Sequence, residues 1–123
     1  PSYYMQSAEM IRDGELPIFT WVWFGLYRTK NGLSTYTYGM KTFGKLELEI
    51  LDVDEEAGKL LSFISAISSY VLQDDVEFKD GETIGLSEED IHQITWSKGV
   101  ALPDQDTLKI SYEKKKKKSW WKR

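Results

Sequence analysis

Along residues 45–51 the chain alternates without a break, with Leu46, Leu48 and Ile50 on one side and Lys45, Glu47 and Glu49 on the other. That period predicts a β-strand with one buried face and one wet face. Residues 16–30 are rich in β-branched and aromatic side chains, residues 33–40 continue in the same manner, and Asn31-Gly32 stands between them. The combination predicts a β-hairpin. A two-residue Asn-Gly loop favours a type I′ turn, whose two central residues both need positive φ. The register that turn imposes sets Lys30 against Leu33, Tyr27 against Tyr36, Gly25 against Tyr38 and Trp23 against Met40. One hairpin face then collects Trp21, Trp23, Tyr27, Tyr36, Tyr38 and Met40. The other is smaller and more aliphatic, with Val22, Phe24 and Leu26 near Thr35, Thr37 and Gly39.

Beyond Asp54 the period becomes helical: Ala57, Leu60, Leu61, Ile64, Ile67 and Val71 form an apolar stripe. A core helix is expected over residues 55–72, capped by Asp54, with Glu55 and Glu56 in its positive first turn. Ahead of the hairpin, Ser2 is placed to cap a helix reaching about residue 12, which Gly14 closes. Downstream, Asp80-Gly81 marks a turn and residues 83–86 a short extended piece. Ser87 and Asp90 have capping-box spacing, and residues 92–98 and 107–113 read as two last strands. The order is α-β-β-β-α-β-β, with hairpins and no strand–helix alternation. The expected class is therefore α+β: a mainly antiparallel sheet of about five strands, with one long core helix and an N-terminal helix.

Composition fits one folded domain. Of 123 residues, 41% are hydrophobic and 29% charged, ordinary values for a globular chain. The domain is expected over residues 1–113, followed by a basic tail, residues 114–123, that stays outside the fold. The tail holds Lys114, Lys115, Lys116, Lys117, Lys118, Lys122 and Arg123 with no acid, a charge of +7; the other nine bases face all twenty acids, which leaves −11 on the rest. So acidic a body repels phosphate backbones, and no nucleic-acid partner is expected. A basic protein partner suits it better. Cysteine is absent, which excludes disulfides, thiolate metal sites and a cysteine nucleophile and agrees with a cytoplasmic location. The longest apolar run, residues 17–27, is short of the roughly 20 residues a spanning helix needs.

No catalytic constellation emerges. His92 is the only histidine, alternating with Ile94 and Trp96 on one strand face, where a structural role is expected. Acids cluster at Asp52, Asp54, Glu55 and Glu56 and at Asp74, Asp75, Glu77, Asp80 and Glu82. Neither group has the glycine and glutamate spacing of a calcium loop, so no metal site is assigned. Gly39 and Gly44 precede Lys45-Leu46 and a strand, not the helix N-terminus that a phosphate loop requires. Bending between the second and third strands is their expected task, and no cofactor is expected. The aromatic hairpin face is expected to be core; its alternative is a partner surface of Trp21, Trp23, Tyr27, Tyr36 and Tyr38. In the tail, Lys114 to Lys118 with Trp120 and Trp121 form a candidate contact for an anionic membrane surface.

Tyr36-Thr37-Tyr38-Gly39-Met40, Phe43-Gly44-Lys45, Glu47-Leu48-Glu49-Ile50 and Asp80-Gly81-Glu82-Thr83-Ile84-Gly85 together resemble the bacterial family called domain of unknown function 4261. The resemblance covers about residues 16–112. It implies a cytosolic bacterial protein, of which this chain, beginning at Pro1, is expected to be the C-terminal portion. It carries no catalytic residues over. The resulting expectation is a non-enzymatic protein-binding or regulatory module of immunity type. The alternatives are an enzyme with a carboxylate-based site and a peripheral membrane adaptor acting through the tail.

Overall fold

The computed structural model describes residues 9–11, 13–15, 17, 21–85 and 91–112. After a short helical segment, residues 9–11, come strands β1 (Trp23–Thr29), β2 (Gly32–Tyr38) and β3 (Glu47–Val53), with a 3-10 helix, Met40–Phe43, between β2 and β3. Helix α1 (Ala57–Gln73) follows, then β4 (Thr83–Gly85), β5 (Ile91–Lys98) and β6 (Asp106–Ile110). The class is α+β, as expected, but the sheet has six strands in the order β1-β2-β3-β6-β5-β4. The sixth strand is β4: the short extended piece pairs with β5 through Ile84 and His92. All neighbours are antiparallel except the central pair β3 and β6, which is parallel.

The predicted hairpin forms with a different register. Tyr27 faces Ser34, Gly25 faces Tyr36 and Trp23 faces Tyr38, so Lys30 and Asn31 make the turn and Gly32 already pairs with Thr29. Neither turn residue has positive φ, which excludes type I′. Gly32 is drawn into the strand because β3 passes close to it: a Cβ there would lie 2.2 Å from the Val53 carbonyl oxygen, and φ is +153°. Only glycine fits that approach. The slip moves each partner by two residues, so both faces keep their members, as a period of two demands.

Helix α1 packs on β1, β2 and β3. Leu60, Ile64, Ile67 and Val71 are buried in one core cluster with Leu48, Ile50, Ile94, Leu108 and Ile110, while Ala57 is exposed and Leu61 half-buried. The helix starts two residues later than expected, and Asp54 does not cap it. Glu56 occupies the cap position without a side-chain bond, and the Glu55 carboxylate accepts from the Glu56 N–H and the Tyr112 hydroxyl, each at 2.9 Å. Gly14 closes the first helical segment as predicted, with φ +76°. The Ser2 cap, the capping box at Ser87 and Asp90, and the tail lie outside the described residues.

Burial overturns the wet face of β3. Lys45 is 7% exposed, Glu47 2% and Glu49 0%. Alternation predicts solvation only where one face of a sheet is left open. β3 is instead central, flanked by β2 and β6, and the N–H groups of residues 39–41 and 100–101 reach its acidic side chains.

Candidate functional site

Three features gather the side chains capable of chemistry or recognition. The first is the outer face of the sheet, opposite α1. Trp23 and Tyr38 stand directly across from one another, 71% and 57% exposed. Trp21, Tyr27 and Tyr36 are half-buried, and Met40 is fully buried in the core. The expectation of a core therefore fails for the pair and holds for Met40. The Tyr36 ring lies over Gly25, where a Cβ would come within 2.2 Å of it. Its centroid is 6.2 Å from that of Tyr27. Beside the two tyrosines a shallow depression of about 330 Å³ is walled by Leu26, Val100 and Ala101. Burial, together with the Glu49 and Asp52 charges, raises the Tyr27 pKa against an opposing hydrogen bond to Ser34.

The second is the pair of buried carboxylates on β3. Glu47 accepts from the Thr37 hydroxyl at 2.8 Å and from the backbone N–H groups of Gly39, Met40 and Lys41 at 3.0, 3.0 and 3.4 Å. It thereby ties down the start of the 3-10 helix. Glu49 accepts from the Val100 N–H at 2.8 Å, the Ala101 N–H at 3.0 Å and the Thr107 hydroxyl at 2.6 Å, with Lys109 Nζ 3.6 Å away. Burial pushes its pKa up, but the bonds from Ala101, Thr107 and Val100 and the Lys109 charge outweigh that and leave it below the ordinary carboxylate value. Such a group is a fixed anion rather than a proton donor. Alternation at Glu47 and Glu49 carries no hint of this. The available signal is the hydroxyls at Thr37 and Thr107, which the fold brings within reach.

The third lies on the inner side. Lys45 Nζ binds Asp75 at 2.7 Å and Glu77 at 2.9 Å. Burial lowers its pKa, yet these two bonds reverse the balance and raise it. Next to this clasp a cavity of about 380 Å³ runs between the end of α1 and the sheet, lined mainly by apolar side chains including Leu46, Leu48, Val71 and Phe78. Sequence spacing gave no sign of it, because its walls come from five separate segments.

The remaining candidates are placed without convergence. His92 is buried, its Nδ1 2.7 Å from the Ser111 carbonyl and its ring 4.8 Å from that of Phe63, a structural position as expected. Asp75 and Glu77 serve Lys45, and Asp80 accepts from the Trp96 N–H at 2.7 Å. Among the described residues no group of three metal-ligating side chains converges, and no helix is long and apolar enough to cross a membrane.

Residues 36–111 match the family model described as domain of unknown function (DUF4261). The chain belongs to this family. The match begins within β2 and runs through β6, so it takes in both buried carboxylates, the Lys45 clasp and all of α1, while β1 with Trp23 lies ahead of it. No curated protein and no solved structure matches the chain. What this DUF4261 domain does must be argued from its own residues.

Proposed function

We propose that this chain is a non-enzymatic, cytoplasmic protein-binding module of regulatory or immunity type. Trp23 and Tyr38 anchor a basic partner that the acidic body attracts. The observation that carries the reading is the exposure of these two large aromatics, directly opposite each other on a hairpin. Trp and Tyr are the side chains that most often dominate binding energy at interfaces. Supporting it, the buried carboxylates Glu47 and Glu49 are used as hydrogen-bond acceptors by the fold itself. A charge of −11 outside the tail favours fast association with a positively charged surface.

The test is affinity capture from the native host with the wild-type chain and with a Trp23→Ala, Tyr38→Ala double variant, followed by purification of the captured protein. The reading expects a basic protein held by the wild type, lost with the double variant, and associating more slowly as salt is raised. Equal capture by both chains, or association indifferent to salt, rejects it.

A further inference from the structure

Between α1 and the start of β1 lies a groove of about 520 Å³, walled by Val22, Trp23 and Phe24 and by Leu61, Ser62 and Ser65. Among the described strands β1 is an edge of the sheet, so a chain can enter the groove from the side. We propose that this groove is the docking site of the chain's own tail, residues 113–123, with Trp120 and Trp121 in the groove and Lys114 to Lys118 across the acidic start of α1. The groove suits an indole. Its walls are mostly apolar, and the Ser62 and Ser65 hydroxyls can accept the N–H that a buried tryptophan has to place.

The root of the tail sets its route. Tyr112 is the last described residue. Its hydroxyl donates to the Glu55 carboxylate at 2.9 Å, and its ring meets that of Phe63 with centroids 5.0 Å apart. The tail therefore leaves the fold beside the first turns of α1. Phe63 and Leu61 are two positions apart on α1 and point to opposite flanks of it, so the tail reaches the groove by crossing the helix. The crossing is unobstructed: Ala57 and Gly58 are exposed, and nothing lies within 4 Å of where a Gly58 Cβ would stand. It is also short, because a helix is about 10–12 Å thick and the eight residues from Glu113 to Trp120 span about 26 Å when extended. Charge favours the same path. Asp52, Asp54, Glu55 and Glu56 flank it, with Lys59 and the hairpin-tip Lys30 as the bases, a net −2 that meets a tail of +7. A tether of this kind gives an effective concentration in about the millimolar range, so weak contacts suffice. The lysines are needed to hold the segment, and about 1 M salt, which shortens the reach of charge to about 3 Å, releases it.

The chain has no cysteine, so a nitroxide attached through Ser119→Cys marks the tail alone, and its broadening of amide signals in the isotope-labelled full chain reports which surface it visits. At low salt the signals of Leu61, Ser62 and Ser65 should lose most of their intensity, while those of Val100 and Ala101, beside the tyrosines of the outer face, keep theirs. Asp54→Lys combined with Glu56→Lys, both at exposed positions, should restore the groove signals, as should about 1 M salt. Trp120→Ala combined with Trp121→Ala leaves the charge unchanged and should also weaken the effect at the groove. If the lysine variant fails to fold, the tryptophan variant decides alone. Groove signals that stay sharp, equal broadening on both faces, or an effect undiminished in either folded variant overturns the proposal. So does broadening passed from nitroxide-bearing chains to separate isotope-labelled chains, which would assign the groove to the tail of a second copy.

Discussion

Glu49 is where a single side chain does most to hold distant parts of the chain together. It sits on β3 yet receives its hydrogen bonds from residues 100, 101 and 107, so it fastens the β5–β6 connection to the centre of the sheet. Glutamine at this position keeps the shape but replaces one acceptor oxygen with a donor amide that must face an N–H. Glu49→Gln should therefore lower stability by about 1–3 kcal/mol, the cost of a buried polar group left unsatisfied. Its folded-state pKa lies below the ordinary value, so the unfolded chain takes up a proton first as the pH falls. The stabilisation is complete above the unfolded carboxylate pKa and is lost as the pH drops through the folded one. Urea unfolding across that acid range should show a smaller pH slope for Glu49→Gln than for the wild type, and equal slopes would mean that the carboxylate is not held as an anion.

At the scale of elements, α1 is the part whose spacing alone fixes its role. Ile64 is fully buried between the helix and the sheet, and Ile64→Ala should cost about 2–5 kcal/mol in urea unfolding, as large-to-small core changes do. A change within error would place the stripe in solvent. The helix was legible because a stripe repeating every three to four residues depends only on local geometry. The same holds for the existence of the hairpin and for the membership of its two faces. Its register was not legible, because it depends on the closeness of Val53 to Gly32, a contact between segments about twenty residues apart. The charges of β3 misled for a related reason: periodicity reports that a face is polar, whereas only the strand order and the connections over that face determine whether water reaches it. The cavity beside the Lys45 clasp was invisible for the same cause, and the Trp23–Tyr38 pair was legible as an aromatic face but not as an exposed one.

For the whole molecule the decisive quantity is the separation of charge along the chain. The basic residues 114–123 carry +7 and everything before them −11, so a tail lying close to the body should offset much of a field that otherwise opposes compaction. Some of the body's acids are already balanced locally, Asp75 and Glu77 by Lys45 and Glu49 by Lys109. Others, such as Asp52, Asp54 and Glu56, are exposed and make no ion pair among the described residues. Their mutual repulsion acts through solvent and is therefore sensitive to salt. A chain ending at residue 113 should accordingly unfold at a lower urea concentration than the full chain at about 0.01 M salt, where charges interact over about 30 Å. The two midpoints should converge at about 1 M salt, where that range shrinks to about 3 Å. Urea titrations of both chains at the two ionic strengths make the comparison. A deficit that persists at high salt would mean that the tail stabilises the domain by contact rather than by charge, and no deficit at low salt would mean that the acidic body tolerates its own field.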